Sequence, residues 1–209
     1  AQAHGADIEG RPAGSFGDLA AFSLNPMKPL AALGEAGVVV TDRPDWAERL
    51  RSLRNLGTVH PETCVEPSLN HKIDALQAVV LRTRMKRTSG MVAARNDVAR
   101  RYSEALAAVV STPRVPEGAT SAFFDYTIHC SDRDRLEEHL LRGGIEVKVR
   151  HRMLLPDQPA YEGLFRCSPA GVPMARQLVG GILSLPIHEA LTPGQVDSVI
   201  EAVLGFYRP

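Results

Sequence analysis

Lys28 lies in a short segment that two prolines make stiff. Pro26 and Pro29 flank it on either side. An apolar run over residues 20–24 comes before it, and a valine run over residues 38–40 comes after it. Because proline fixes φ and favours turns, the sequence predicts a strand, a rigid turn and a second, buried strand. A lysine that presents its amine at a fixed point needs such a mount, although an ordinary surface turn remains the alternative.

The charges of the chain are balanced. Its 209 residues carry 24 Lys plus Arg against 24 Asp plus Glu, so the net charge is zero. This balance gives no electrostatic footprint for DNA, RNA or an anionic membrane. No apolar run approaches the ~20 residues of a membrane span, and the first residues lack the features of a signal peptide. We therefore expect a cytoplasmic protein without a nucleic-acid or membrane partner.

Cysteine and histidine spacing argues against a metal site. Cys64, Cys130 and Cys167 are widely separated, and the seven histidines form no HxxxH or HExxH pattern. Free thiols in a reducing compartment are the expected state of the cysteines. We expect no bound metal.

Periodic apolar positions predict three helices in the first half of the chain. One follows Pro44, a residue that suits the first turn of a helix. Two longer helices are expected around residues 69–85 and 92–106. The positions expected to face the core are Trp46, Leu50, Leu53, Leu69, Ile73, Leu76, Val80, Met85, Val92, Val98, Tyr102 and Leu106.

A smaller unit is expected in the second half of the chain. Its last helix opens with a capping box formed by Thr192 and Gln195, with Pro193 in the first turn. We therefore divide the chain into residues 1–110 and 111–209. The predicted elements of the second part are strands over residues 123–130 and 145–149, a helix capped at Ser131, a helix over residues 174–182 and the helix from residue 192.

Short motifs follow one another along nearly the whole chain. They are Gln2-Ala3-His4-Gly5-Ala6, Gly14-Ser15-Phe16-Gly17-Asp18, Phe22-Ser23 before Lys28, Gly34-Glu35-Ala36-Gly37, Asn70-His71-Lys72-Ile73-Asp74, Gly144-Ile145-Glu146, Gln158-Pro159-Ala160-Tyr161 and Leu183-Ser184-Leu185-Pro186. Together they resemble the DegT/DnrJ/StrS-type sugar aminotransferases. The resemblance implies an α/β protein of the aspartate-aminotransferase-like, PLP-dependent transferase fold. Residues 1–110 would then be the end of the large α/β domain, with two long helices, and residues 111–209 the small α+β C-terminal domain.

The resemblance implies pyridoxal 5'-phosphate (PLP) as the cofactor. Lys28 falls where the family has the lysine that forms a Schiff base with PLP and then carries a proton. Ser23 matches a phosphate-binding serine, and Gln2 matches a glutamine that donates to the ring hydroxyl. Asn70 matches an asparagine that reaches the phosphate in the partner subunit, so a homodimer is implied. On local sequence alone, Ser23 suits a bond to its own backbone and Asn70 suits a helix cap.

Two further features concern the cofactor ring. The family's aspartate at the pyridinium nitrogen would lie two residues before Ala1, so we interpret the chain as the C-terminal part of a longer protein. We expect these residues alone to bind PLP poorly and to be inactive. His4 lies near the ring in the family, but a hydrogen-bonded structural histidine is the simpler interpretation.

Arg150, His151 and Arg152 stand where the family typically has His-Tyr-Pro. Arginine pairs bidentately with carboxylate and phosphate groups. Our hypothesis is that Arg150 or Arg152 binds an anionic group of the amino donor or the keto substrate. An exposed basic loop after a strand explains the same residues equally well.

The resemblance implies an enzyme that moves an amino group from glutamate or glutamine to a keto-sugar. The acceptor would be a nucleotide-linked ketodeoxysugar or a keto-cyclitol in antibiotic or polysaccharide biosynthesis. Lys28 argues against the dehydratases of the family, in which a histidine replaces this lysine. The alternative is a truncated, non-catalytic homologue that acts as a structural or regulatory partner of a full-length subunit.

Overall fold

The structure is a computed structural model that describes residues 1–60, 63–161, 163–164 and 171–208. It divides into two compact units, each discontinuous in sequence. The first contains Ala1–Ala93 and Val115–Phe124, and the second contains Ala94–Arg114 and Asp125–Pro209. The division into residues 1–110 and 111–209 stays a prediction. Cys167 lies outside the described residues.

The described residues form short strands and longer helices, often two or more of one kind in succession. The strands are β1 (Asp7–Ile8), β2 (Arg11–Pro12), β3 (Ala20–Ser23), β4 (Gly37–Val40), β5 (Thr58–His60), β6 (Thr63–Cys64), β7 (Ala119–Thr120), β8 (Tyr126–His129) and β9 (Ile182–Leu185). The helices are α1 (Pro44–Arg54), α2 (Ala75–Met85), α3 (Thr88–Leu106), α4 (Arg133–Arg142), α5 (Pro173–Val179) and α6 (Pro193–Tyr207). Two 3₁₀ turns cover Leu155–Asp157 and Pro159–Tyr161.

The strand–turn–strand predicted around Lys28 is confirmed. β3 and β4 pair antiparallel, with Ala20 opposite Val40 and Ser23 opposite Gly37. The expected burial of the second strand is wrong, because every residue of β4 is exposed and Val39 is 47% accessible. Within the described residues this sheet has two strands, and alternate side chains of a strand point to opposite faces. No third layer in that part of the chain therefore covers the valines.

The helix predicted after Pro44 is confirmed. α1 begins at Pro44, which occupies the first turn and needs no hydrogen-bond acceptor there. Trp46, Leu50 and Leu53 are each partly buried, as expected for the inner face of a surface helix.

Four of the five core positions predicted for the next helix are wrong, and the fifth, Val80, is partly buried. Leu76 is 81% exposed and Met85 is also exposed, whereas Leu81 is buried. Leu81 packs in a small cluster with Leu24 and Ala32, the residues that bracket the Lys28 turn. α2 therefore contacts the turn through one narrow side and leaves its main apolar stripe exposed.

The second unit is built on the antiparallel pair β8–β9. Tyr126 lies opposite Leu185, and His129 lies opposite Ile182. Tyr102 of α3 is fully buried, its hydroxyl donates to the Pro186 carbonyl at 3.0 Å, and its ring lies 5.1 Å from that of Tyr126. All four core positions predicted for α3 are buried. Further buried residues from α4, β9 and α6 are Leu136, Leu140, Leu183, Val196, Val199 and Val203.

Three predicted elements of the second half of the chain are shorter than expected. The strand over residues 123–130 is reduced to Tyr126–His129. The strand over residues 145–149 is reduced to one bridge between Lys148 and Ser184. The helix over residues 174–182 ends at Val179, because the chain continues into β9. Pairing with β8 thus overrides local helical periodicity at this point.

Side-chain caps differ at the two predicted sites. At α6 the Thr192 hydroxyl accepts from the Gln195 backbone at 3.3 Å, and the Gln195 side chain accepts from the Thr192 backbone at 2.9 Å, so the capping box is confirmed. At α4 the predicted cap is wrong. That helix begins at Arg133 without a side-chain cap, and Ser131 donates to the Asp132 carboxylate instead.

The capping box gives a direct stability prediction. We expect Thr192→Ala to lower the free energy of unfolding by about 1 kcal/mol, because an N–H of the first turn of α6 loses its acceptor. Thr192→Ser, which keeps the hydroxyl, is the matched control and should stay close to the wild type. Urea unfolding followed by circular dichroism measures both. Equal destabilisation by the two substitutions would contradict the prediction.

Candidate active site

The backbone of the Lys28 turn is closed by three hydrogen bonds. Leu24 donates to the Ala36 carbonyl at 2.8 Å, and its own carbonyl accepts from Ala32 at 2.8 Å. The Lys28 N–H donates to the Asn25 carbonyl at 2.9 Å. Because these bonds join both ends of the turn and its middle, the Cα of Lys28 is held at a fixed position.

The Asn25 side chain connects the start of the turn to its end before β4. Its amide donates to the Glu35 carboxylate at 2.6 Å, and its side-chain oxygen accepts from the Met27 backbone at 2.8 Å. The second bond is the local pattern by which asparagine organises a turn. The first ties the residue to the Gly34–Gly37 motif that precedes β4.

Two polar side chains of α2 hold the turn from the helix side. Gln77 accepts from the Leu33 N–H at 2.7 Å, and Arg84 donates to the Ala31 carbonyl at 2.7 Å. A turn inside a chain lacks a ladder partner for many of its backbone groups, and these side chains supply partners for two of them. α2 thus acts as a polar clamp on the segment that carries Lys28.

The Lys28 amine lies against an aromatic ring. Its Nζ is 4.3 Å from the centroid of the Phe124 ring, a distance within the range of a cation–π interaction. Both side chains are half-buried. Phe124 was not predicted, because a contact between residues so far apart along the chain leaves no spacing pattern in the sequence.

His4 is buried without a hydrogen-bond partner. It is 4% exposed, and neither Nδ1 nor Nε2 has a partner within hydrogen-bond geometry. Its ring lies 5.4 Å from that of Phe22, tilted by 46°. Burial lowers the pKa of His4, and the positive charge of Lys28 acts in the same direction. The backbone of Ser23 acts on His4 in the opposite direction, but the net effect favours the neutral imidazole. The role of His4 as a hydrogen-bonded structural histidine stays a prediction.

Ser23 and Gln2 lie in the same unit as Lys28. The Ser23 hydroxyl accepts from the Asn25 backbone at 3.3 Å, which is the local role suggested for it. Since a hydroxyl also donates, this bond leaves its proton available for another acceptor. Gln2 is exposed, two residues before His4. Their roles toward a cofactor stay predictions.

Asn70 does not cap a helix. The N-cap of α2 is Asp74, four residues later, so the local interpretation of Asn70 is wrong. Asn70 instead forms a backbone bridge with Asn55 and accepts from the Lys72 N–H at 3.3 Å. The Lys72 amine in turn donates to the Asn55 side chain at 2.7 Å. Asn70 is thereby presented on an exposed, hydrogen-bonded loop in front of α2.

The three candidate substrate residues lie in the second unit, apart in sequence and unit from Lys28. Arg150 pairs with Asp125 at 2.7 Å through its guanidinium. Arg152 donates to both carboxylate oxygens of Glu137, at 2.7 and 2.8 Å. His151 is exposed. Both arginines thus already hold carboxylates, which an anionic substrate would have to replace.

The described residues show neither a metal site nor a membrane-spanning helix. Among them, no group of three or more His, Cys, Asp or Glu side chains is arranged to hold a metal ion. No helix in the same part of the chain is long and apolar enough to cross a membrane.

The fold is that of a class of protein, the PLP-dependent transferases of the aspartate-aminotransferase-like fold. The structure superposes on that of a DegT/DnrJ/EryC1/StrS aminotransferase from Brucella abortus with a TM-score of 0.96 and 33% identity. The alignment covers 100% of this chain and 56% of that one. The model of the DegT/DnrJ/EryC1/StrS aminotransferase family matches residues 1–204, and the chain belongs to that family.

Two relatives are similar over nearly the whole chain. The erythromycin biosynthesis sensory transduction protein EryC1 of Saccharopolyspora erythraea is 36% identical over 202 residues, which are 96% of this chain and 55% of that protein. The dTDP-3-amino-3,4,6-trideoxy-alpha-D-glucose transaminase of Streptomyces venezuelae is 35% identical over 206 residues, 97% of this chain and 54% of that protein. The chain thus spans about half the length of these relatives.

The buried imidazole predicts how stability depends on pH. Because the pKa of His4 is lowered on folding, the unfolded chain binds a proton more readily than the folded one. The contribution of His4 to the free energy of unfolding is therefore fully present above the unfolded pKa of about 6.5, and it is lost as the pH falls from that value through the lower pKa of the folded state. His4→Phe should weaken this loss. Urea unfolding at a series of pH values tests it, with the exposed His60→Phe as control, and an unchanged pH dependence in His4→Phe would contradict it.

Proposed function

We propose that this chain is part of a PLP-dependent aminotransferase that moves an amino group from glutamate or glutamine to a keto-sugar. The observation that carries the proposal is the hydrogen-bonded turn that fixes Lys28, in the neighbourhood of the buried imidazole of His4. The names of relatives as sugar transaminases support the substrate class. A nucleotide-linked ketodeoxysugar or a keto-cyclitol in antibiotic or polysaccharide biosynthesis is the proposed acceptor.

The residues around Lys28 fit such a cofactor. His4 offers two buried nitrogen atoms that lack a partner, and leaving buried polar groups unpaired is costly. Ser23 has a hydroxyl proton still to donate, five residues before the lysine. Buried polar atoms that wait for a partner are expected where a polar ligand completes the site.

PLP, when bound, supplies an aldehyde carbon that reacts with amines and a ring that accepts electrons. Lys28 is the proposed covalent anchor, since its Nζ is the one amine held on the clamped turn. When its Nζ is released by the amine of a substrate, it is placed to take up a proton and return it at a neighbouring carbon. The hydrogen bonds of the turn keep the amine close to the reacting carbons, so that little conformational entropy is lost before proton transfer.

The other three residues have positioning roles in the proposal. Ser23 would donate to the cofactor phosphate, and Gln2 to the ring hydroxyl. His4 would stay neutral, because burial and Lys28 lower its pKa, and would present an uncharged face to the ring. Asn70 would reach the phosphate of a second subunit from its exposed loop.

A homodimer is part of the same proposal. Around Asn70, the apolar side chains of Leu69, Leu76 and Val79 are exposed, and no acidic residue lies in the first turn of α2. Contiguous exposed apolar side chains are typical of a surface that another protein covers. A cytoplasmic location is proposed as well, on the free thiols of Cys64 and Cys130.

Covalent capture tests the role of Lys28. In the longer aminotransferase of which this chain is proposed to be part, incubation with PLP followed by borohydride should fix the cofactor on the Lys28 peptide, because reduction makes the lysine–cofactor bond permanent. Lys28→Ala should abolish both the label and the visible absorbance, whereas Lys72→Ala should keep them. Peptide mass spectrometry locates the label. Label on another lysine, or none on the wild type, would overturn the proposal.

Substrate binding by Arg150 or Arg152 is a separate proposal. Replacing the contributing arginine by Ala should raise the KM for the donor or the acceptor about tenfold or more, since a hydrogen bond to a charged group is lost. Arg142→Ala, which breaks the exposed pair with Glu138, is the control. Steady-state kinetics of the longer aminotransferase with both substrates makes the measurement, and an unchanged KM for both in each variant would refute the proposal.

A regulatory role is the second candidate function. One observation favours it, because a relative that is 36% identical carries the name of a sensory transduction protein. In this case the exposed surface around Asn70 and α2 would complete a site in another family member. Absence of PLP capture at Lys28, together with binding to a longer family member, would favour this candidate over the enzyme.

A further inference from the structure

The contact between Lys28 and Phe124 joins two distant segments of the first unit. The Lys28 Nζ lies 4.3 Å from the centroid of the ring. Among the described residues, no carboxylate lies within ion-pair distance of this amine. The aromatic face is therefore the group that the Lys28 amine contacts in this part of the chain.

Phe124 is held in place by the segment that leads to it. β7 pairs with β1, with Thr120 opposite Asp7. The Gly118 carbonyl accepts from the Glu9 N–H, and Ser121 accepts from the N–H of Phe123 at 3.2 Å. These bonds anchor the residues before Phe124 to the N-terminal strands.

The backbone immediately before Phe124 is strained. Phe123 has φ of +39°, in the left-handed region that a bulky residue rarely adopts. Its side chain is buried, which keeps the residue in that conformation. Strain of this kind persists only where the surroundings impose it, and it is concentrated at functional sites. Here the strained backbone of Phe123 sets the direction of the next side chain, the ring of Phe124.

We propose that Phe124 is a positioning residue for the Lys28 amine. A ring face attracts an ammonium group but not a neutral amine, so the contact is made only while Nζ carries a proton. A carboxylate would hold the ammonium more firmly, since an ion pair adds a full opposite charge. The ring thus keeps the proton-carrying amine in place and lets it go when the proton has been delivered. This inference rests on the proposed function of Lys28.

The contact can be measured without any cofactor. Reductive methylation with ¹³C-formaldehyde labels the four lysines and keeps their charge, and Lys28→Arg identifies the Lys28 signal. Protons over the face of a ring are shielded, so the Lys28 methyl signal should lie upfield of the other three. The displacement should disappear on raising the pH until the amine loses its proton, because the attraction needs the charge.

Matched variants separate this role from simple packing. Phe124→Leu should bring the Lys28 signal back to the position of the other lysines, and Phe124→Tyr, which keeps the ring, should restore the displacement. An undisplaced Lys28 signal in the wild type would overturn the inference even if Phe124→Leu failed to fold. A displacement that persists unchanged above the titration of the amine would also overturn it.

Covalent capture distinguishes failure of the inference from failure of the proposed function. Because Phe124→Leu no longer positions the amine, capture of PLP at Lys28 should fall about two- to fivefold, and Phe124→Tyr should behave as the wild type. A displaced signal without capture would reject the proposed function and leave the contact established. Capture at Lys28 without a displaced signal would reject the inference alone.

Discussion

The two hydrogen bonds of Leu24 are the constraint on which the candidate site depends. Its N–H donates to Ala36 and its carbonyl accepts from Ala32, so one residue fastens both the far end and the middle of the turn. Leu24 is also buried against Leu81, which places this junction out of reach of water. Because exposed backbone bonds exchange with water easily and buried ones do not, the turn is rigid where Lys28 needs it.

This arrangement explains why α2 differs from the helix that its sequence suggests. The helix is attached to the turn by the polar side chains Gln77 and Arg84 and by the single buried residue Leu81. A contact of this kind uses a narrow stripe of the helix and leaves residues such as Leu76 exposed. The apolar periodicity is real, but it points to a surface that the described residues do not cover.

Local signals were sufficient for some elements and insufficient for others. Proline at the start of α1 and the capping box at Thr192 act within one helical turn, and both predictions are confirmed. The exposure of β4 and the loss of the strand over residues 145–149 depend on which distant strands are available for pairing. The unpartnered state of His4 likewise depends on its three-dimensional surroundings. No spacing in the sequence encodes such contacts, so the lysine was predictable and its aromatic neighbour was not.

Lys28 differs from Arg150 and Arg152 in the partners of its charged group. Arg150 and Arg152 are paired with carboxylates, so a ligand could bind either guanidinium only by displacing its carboxylate partner. Lys28 faces the ring of Phe124 and a neutral histidine, His4, whose own charging it opposes. A permanent counter-ion would oppose release of a proton from the amine, whereas a ring face opposes it weakly. In the proposed role, Lys28 gains and loses a proton at one place. This neutral setting suits that role better than an ion pair would, and the rigid turn supplies the positional control that a counter-ion would otherwise provide.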